Sequence, residues 1–280
     1  MEHTVALSSG MLAWDEVGAS HSDAAIVLVH GFPHDRGLWH AQIEGHAAFV
    51  GTRLLVPDLP GFGRSAPLLD ASMDGYADAL ATMLDRRGIQ RVIVAGLSMG
   101  GYVAFAFWRR HAARVRGLIL LDSKATADTD AARAKRLELI ASVGEDGVGA
   151  LVSGLIAQQL GSTTRATQPA LVEQVGVMLR RAPASGVVAA ARAMMQRIDS
   201  TPTLETITVP TLVLVGEEDS VTPVSDAIAM HSAIRGSRLV TVSGAGHLAP
   251  LEQPATVNAA IAEFLDVSFQ DGEPDIRSTG

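Results

Sequence analysis

A serine at position 98 lies in a sequence context that can do nucleophilic chemistry. Residues 96–101 read Gly-Leu-Ser-Met-Gly-Gly, directly after the apolar run 91–95 and directly before a helical pattern. This context predicts a serine at a strand-to-helix corner, the arrangement called a nucleophile elbow. Side chains two residues before and after such a serine would collide if they carried a Cβ, and Gly96 and Gly100 remove that collision. The N–H groups at the start of the helix would face negative charge that develops beside Ser98.

Two later segments contain the partners that a nucleophilic serine needs. The strand pattern 211–215 is followed by Gly-Glu-Glu-Asp, ending at Asp219, and the strand pattern 238–242 is followed by a glycine-rich loop that ends at His247. A serine hydroxyl needs a neutral imidazole to accept its proton, and the resulting imidazolium needs a fixed carboxylate. Each of the three residues follows a different strand, and the carboxyl ends of parallel strands form one edge of a sheet. We therefore predict a catalytic set of Ser98, His247 and Asp219.

The identity of the acidic member has alternatives. Glu217 and Glu218 directly precede Asp219, and Asp122 directly follows the strand pattern 117–121. An acid at the end of that earlier strand would also lie on the same edge of the sheet. Asp219 is the favoured residue, with Asp122 as the second choice.

An early loop is predicted to stabilise the oxyanion. The strand pattern 26–29 runs into His-Gly-Phe-Pro at residues 30–33. The backbone N–H groups of Phe32 and Met99 are placed to donate to the oxygen of a tetrahedral intermediate. We expect His30 to brace this loop through hydrogen bonds, and Gly31 to be a supporting residue together with Gly96 and Gly100.

These segments resemble the α/β-hydrolase superfamily over about residues 11–265. They are similar to small bacterial carboxylesterases and enol-lactonase-like serine hydrolases, which carry His-Gly-Phe-Pro, Asp-x-x-Gly-x-Gly-x-Ser, Gly-x-Ser-Met-Gly-Gly, Gly-x-x-Asp and Gly-x-Gly-His blocks, as this chain does. The resemblance implies an α/β-hydrolase fold, with a mostly parallel central sheet, helices on both faces and an inserted helical cap. It also implies a carboxylesterase-type enzyme of class EC 3.1.1.

The order of predicted elements agrees with that organisation. Strand and helix patterns alternate over residues 1–122, the first half of the core, and again over 209–266, the second half. Between them, residues 123–208 are rich in alanine and helical in period, which predicts the cap insertion. Residues 267–280 are predicted to be a disordered tail.

Composition excludes several other classes of function. The chain has 280 residues, a formal net charge of -8 and no cysteine, so basic nucleic-acid surfaces, disulfides and thiolate metal sites are not expected. The first residues lack a secretion signal, and no apolar stretch is long enough to span a membrane. The sequence therefore predicts a cytoplasmic protein that acts on a small molecule, without nucleic-acid or membrane partners, and it leaves the oligomeric state open.

No metal or cofactor is predicted. Five candidate ligands are close in sequence, but their spacing matches no common metal-binding pattern. They are His30, His34, Asp35, His40 and His46.

The predicted function is hydrolysis of carboxylic esters through an acyl-enzyme on Ser98. The alanine-rich insertion and the 4% aromatic content indicate small to medium, mainly apolar substrates. Related activities remain open: an enol-lactonase, a C–C bond hydrolase, or a cofactor-free perhydrolase or haloperoxidase. A hydroxynitrile-type lyase would be helped by a lysine near the site, for which Lys124 and Lys135 are the candidates. A non-catalytic ligand receptor is the remaining alternative.

Overall fold

Eight strands form one sheet in the part of the chain that the structure describes. The structure, a computed structural model, describes residues 1–18, 25–49 and 51–269. The strands are β1 (Glu2–Leu7), β2 (Gly10–Val17), β3 (Ala25–Val29), β4 (Arg53–Pro57), β5 (Val92–Leu97), β6 (Val115–Leu121), β7 (Thr211–Gly216) and β8 (Arg238–Val242). Their order across the sheet is β1-β2-β4-β3-β5-β6-β7-β8. β1, β2 and β4 pair antiparallel, and the pairs from β4 through β8 are parallel.

The sheet is covered on both faces, which is why its central strands are continuously apolar. Successive residues of β5 alternate between two hydrophobic clusters: Val92 and Val94 belong to one, and Ile93 and Ala95 to the other. The arrangement confirms the predicted α/β class with a mostly parallel sheet between helices.

In the described part of the chain, twelve α-helices accompany the sheet. They are α1 (His40–Glu44), α2 (Met73–Arg86), α3 (Met99–His111), α4 (Asp130–Asp146), α5 (Val152–Gln159), α6 (Ser162–Thr167), α7 (Pro169–Arg180), α8 (Ala184–Gln196), α9 (Thr201–Leu204), α10 (Val224–Ala233), α11 (Ala249–Glu252) and α12 (Pro254–Phe269) among the described residues. The first cluster contains buried residues of α2, α3 and α10, and the second contains residues of α12. Helices therefore lie on opposite faces of the sheet.

The chain between β6 and β7 is a helical insertion that contains α4 to α9. A buried ion cluster attaches it to the core. The Asp128 carboxylate accepts hydrogen bonds from Arg136 Nε (2.5 Å) and Arg197 Nη1 (2.6 Å), and the Arg197 guanidinium lies 4.0 Å from the ring centre of Tyr102 on α3. Asp128 can pair with both arginines only when α4 and the end of α8 lie against the loop after β6.

Some element boundaries differ from the sequence-based expectation. Residues 38–47 have a helical sequence pattern, but only α1 forms there, with a short 3-10 turn on each side of it. Residues 146–159 also have a helical sequence pattern, but α4 ends before Gly147, which has φ +74°, and a 3-10 turn over Val148–Leu151 precedes α5. α6 was not expected.

The first three residues of the predicted tail, 267–269, are helical. α12 continues to Phe269, whose ring packs edge-on against Phe264 (5.9 Å between ring centres) and lies 4.9 Å from the Arg116 guanidinium. Residues 270–280, the rest of the predicted tail, lie outside the described residues. Among the helices that the structure describes, none is long and apolar enough to cross a membrane.

Candidate active site

The three residues predicted as a catalytic set lie in one hydrogen-bond chain. Ser98 Oγ is 2.8 Å from His247 Nε2, and His247 Nδ1 is 2.8 Å from Asp219 Oδ2. Ser98 follows β5, Asp219 follows β7 and His247 follows β8, so the chain crosses the carboxyl edge of the sheet. An ionised carboxylate only accepts hydrogen bonds, so Nδ1 of the imidazole carries the proton and Nε2 is free to accept from the serine hydroxyl.

The backbone at Ser98 has the strained turn that was predicted. Its φ is +54° and its ψ is -113°, outside the regions that residues with a side chain normally adopt. A Cβ on Gly96 would overlap the backbone of Gly100, and a Cβ on Gly100 would overlap the carbonyl of Val29. The glycines therefore permit the close approach of α3 to β5 and β3, which places Ser98 Oγ outside the sheet edge.

The Asp219 carboxylate is held ionised. Burial alone would raise its pKa, but the charge of His247 and hydrogen bonds from His247 and Thr222 outweigh burial and lower it. Oδ1 accepts the N–H groups of Val221 (2.8 Å) and Thr222 (3.0 Å), and Oδ2 accepts the Thr222 hydroxyl (2.7 Å). This carboxylate is therefore charged and fixed in position behind the imidazole.

Asp122, the second choice for the acid, contacts backbone N–H groups instead of the imidazole. Its Oδ1 accepts from Gly216 N (2.8 Å) and its Oδ2 from Ala249 N (3.3 Å). Complete burial, then the nearby charge of Asp219, raises the pKa of Asp122 well above its ordinary value. Asp122 therefore joins the ends of β6 and β7 to α11.

The two glutamates next to Asp219 bind hydroxyl groups rather than the imidazole of His247. Glu217 accepts the Ser243 hydroxyl (2.7 Å). Glu218 accepts from the hydroxyls of Ser162 and Thr163 and from Thr163 N, and these hydrogen bonds lower its pKa to about 2. Glu218 thus caps α6, the helix that was not expected, and links the insertion to the end of β7.

The loop predicted to stabilise an oxyanion lies beside Ser98. A Cβ on Gly31 would overlap Leu97 and approach the Ser98 side chain, so this loop packs directly on the serine turn. His30 is completely buried; its Nδ1–H donates to Gly31 O (3.0 Å) and its Nε2 accepts from Leu59 N (2.9 Å). Met99 is the first residue of α3, where a backbone N–H has no acceptor within the helix.

Gln159, at the end of α5, connects this loop to the histidine loop, and no sequence pattern points to it. Its side-chain amide donates to Phe32 O (2.9 Å), its Oε1 accepts from His34 Nε2 (2.9 Å), and its backbone carbonyl accepts His247 N (2.8 Å). Burial lowers the pKa of His34 to about 4, so this ring is neutral at pH 7. The helical insertion thus holds two loops of the site in fixed positions.

Glu252 on α11 is a second residue that sequence reasoning missed. Its Oε1 accepts the N–H groups of Gly246 (2.9 Å) and Leu248 (3.0 Å), which flank His247, and its Oε2 accepts Gly161 N (2.8 Å). A single carboxylate in the apolar stretch 248–252 is the signal that could have identified it, because buried charges are paired.

We expect Glu252→Gln to weaken both stability and turnover. An amide presents one acceptor oxygen and an NH₂ group, so at least one of the three N–H groups loses its partner, at a cost on the order of 2 kcal/mol. Looser positioning of His247 should lower kcat about tenfold, with a smaller change in KM. Thermal denaturation and steady-state kinetics measure both effects. Glu263→Gln, at an exposed glutamate paired with Arg238, is the control, and equal behaviour of the two variants would contradict this role.

The five residues considered as metal ligands make separate local contacts. His40 Nδ1 lies 3.3 Å from Gly37 O, His46 Nδ1 lies 2.9 Å from Ile43 O, and Asp35 accepts Gly37 N (2.8 Å). His30 and His34 make the contacts given above. In the described part of the chain, no three His, Asp or Glu side chains are grouped so that they could hold a metal ion.

A cavity of about 780 Å³ opens above Ser98 and His247. The insertion forms much of its wall, with apolar side chains such as Leu139, Leu151 and Met194. The charged lining residues are Lys124, Asp128, Lys135, Arg136 and Glu138. The wall is therefore more polar than the alanine-rich composition indicated, because α4 and the segment before it turn charged residues toward the cavity.

Comparisons with known proteins identify relatives that match most of the chain. The sequence model of the alpha/beta hydrolase fold matches residues 24–254. A 3-oxoadipate enol-lactonase of Acinetobacter baylyi is 25% identical over 239 residues, 85% of this chain and 87% of that protein. A pimeloyl-(acyl-carrier protein) methyl ester esterase of Yersinia enterocolitica is 28% identical over 262 residues, 92% of this chain and 98% of that protein. The malate-bound structure of a thermophilic esterase from Thermogutta terrifontis is 37% identical with a TM-score of 0.89, and the match covers 96% of this chain and 99% of that one.

Proposed function

Because the chain belongs to the alpha/beta hydrolase fold family, we propose that it is a serine hydrolase that cleaves carboxylic esters through an acyl-enzyme on Ser98. The observation that carries the proposal is the continuous chain from Ser98 Oγ through His247 to Asp219, with both hydrogen bonds at 2.8 Å. Relatives that match over most of the chain are esterases and a lactonase. A lactone is an internal ester, so the same steps would open a lactone ring.

In the proposed mechanism, His247 Nε2 accepts the Ser98 proton as Oγ attacks the ester carbonyl carbon. The Asp219 carboxylate stabilises the imidazolium that forms. The backbone N–H groups of Phe32 and Met99 donate to the oxyanion, each contributing about 3 kcal/mol to the stability of the transition state. Collapse of the intermediate transfers the proton from His247 to the departing alcohol. Water, deprotonated by the same imidazole, then releases the acid.

We propose that the helical insertion, residues 123–208, acts as the cap of this site. It supplies much of the cavity wall, and its Gln159 contacts both the Phe32 loop and the His247 backbone. Because the insertion contacts both the substrate cavity and the Phe32 loop, substrate binding would influence the position of the Phe32 N–H donor.

The test is hydrolysis of 4-nitrophenyl esters from acetate to palmitate, with intact-mass detection of the acylated protein after rapid mixing. We expect release of 4-nitrophenolate and an adduct of the acyl mass on the peptide that contains Ser98. The chain length of the best substrate measures the depth of the cavity. A folded protein that neither turns over nor forms an adduct would overturn the proposal and favour the lyase or the receptor.

A further inference from the structure

We propose, on the basis of the function proposed above, that the cavity selects esters with a carboxylate at the end remote from the scissile bond, and that Lys124 and Lys135 bind that carboxylate. The chain has only two lysines among its 280 residues, against twenty arginines. Both lysines line the cavity that contains Ser98 and His247. The sequence predicts mainly apolar substrates, and the two lysines restrict this class to esters that have an apolar body and an anionic end.

The two lysines differ in their exposure to solvent. Lys124 is half-buried and directly follows Ser123, whose hydroxyl donates to Ser98 O (2.8 Å). Lys135 is exposed on α4, where the cavity meets solvent. A lysine side chain is a flexible point charge with three donors, so each ammonium group can move to meet a carboxylate in the cavity.

The carboxylates nearby neutralise only part of this positive charge. Asp128 is engaged by both Arg136 and Arg197, and those three side chains together carry a charge of +1. Asp226 on α10 acts on Lys124 electrostatically, and Glu138 lies one turn from Lys135 on α4. Within the described residues, neither ammonium group forms an ion pair with these acids. Counted over the charged side chains that line it, three cationic and two anionic, the cavity is positive by one charge in a protein whose net charge is -8.

A positive cavity in an acidic protein favours one class of ester. The field of the cavity raises the local concentration of an anion, and its partly buried walls strengthen the attraction relative to bulk water. The apolar residues Leu139, Leu155 and Met194 in the same wall suit a hydrocarbon chain between the two ends. The substrate class that matches both features is a monoester of a dicarboxylic acid.

The test compares mono-4-nitrophenyl adipate with uncharged 4-nitrophenyl hexanoate, as the ratio of their kcat/KM values. We expect Lys124→Met to lower this ratio about tenfold and Lys135→Met about threefold, since the second lysine is more exposed to solvent. Lys124→Arg keeps the charge and should retain most of the preference. Arg133→Met, on α4 outside the cavity lining, makes the same change of net charge and is the matched control. Added salt should lower the ratio for the unmodified protein.

A second readout does not depend on turnover. Binding of adipate to Ser98→Ala, measured by calorimetry, should weaken when Lys124→Met is added. A ratio that is unchanged in both methionine variants, with adipate binding unaffected, overturns the inference while leaving the proposed hydrolase intact. A loss of the preference in Lys124→Arg equal to that in Lys124→Met would show that the positive charge at this position does not set the preference, and it would also overturn the inference. If adipate binding requires Lys124 but the protein hydrolyses neither ester, the anion site is supported and the proposed hydrolase function is overturned.

Discussion

Ser98→Ala is expected to lower kcat for ester hydrolysis by about 10⁴ to 10⁶ while leaving the fold intact. Removal of the hydroxyl deletes the nucleophile, and His247 then has no oxygen of the protein to deprotonate. The substitution leaves the backbone turn and the flanking glycines in place, so circular dichroism and thermal denaturation should match those of the unmodified protein. Residual hydrolysis would come from the oxyanion donors and from substrate binding alone.

The control for this prediction is a serine far from the site. Ser232→Ala, on α10, removes an exposed hydroxyl whose hydrogen bond goes to Ile228 O in the same helix. It should leave both kcat and the formation of the acylated protein unchanged. A Ser98→Ala protein that keeps most of the activity would require a different nucleophile, and the acyl adduct would then map to another peptide.

Local sequence signals were sufficient for the strands, for most helices and for the three residues of the hydrogen-bond chain. Ser98, Asp219 and His247 each follow a short apolar strand within a turn whose glycines can be read from the sequence. Parallel pairing then brings the ends of those strands to one edge without further information. Their contact could be predicted because it depends on the topology of the sheet.

The parts of the site that were missed depend on long-range packing. Gln159 contacts Phe32 and His34 across more than a hundred residues, and its neighbours in α5 form no pattern that points to a loop of the core. Glu218 was considered as an acid, whereas it caps α6, a helix that the local sequence did not predict. The charge of the cavity wall was missed for the same reason, because it depends on which face of α4 turns inward.

The second large effect is expected from Asp219→Asn, which should lower kcat by about 10³ to 10⁴. Asparagine has nearly the same shape, but it removes the charge that stabilises the imidazolium. Its NH₂ group can also face His247 Nδ1, which would move the ring proton to Nε2 and block acceptance of the Ser98 proton. Steady-state kinetics and a folded-state control by circular dichroism measure the effect.

Asp122→Asn is the matched comparison, and we expect it to reduce kcat by less than about tenfold, because Asp122 contacts backbone N–H groups rather than His247. Its effect should appear in stability. Burial and then Asp219 raise the pKa of Asp122 in the folded state, so the folded chain holds a proton that the unfolded chain releases above about pH 4. This group therefore destabilises the fold progressively as pH rises from there toward its folded pKa.

Asparagine cannot titrate, so the stability of Asp122→Asn relative to the unmodified protein should increase as pH rises from 4 to 7 in urea denaturation. The amide still offers one acceptor to Gly216 N, and the longer hydrogen bond from Ala249 N is the one it gives up. Two carboxylates at one sheet edge would then be separated by their roles. Asp219 is kept ionised by the imidazole. Asp122 joins the ends of the strands and lowers the stability of the fold as pH rises. The opposite order of the two kcat losses would move the acid to the end of β6.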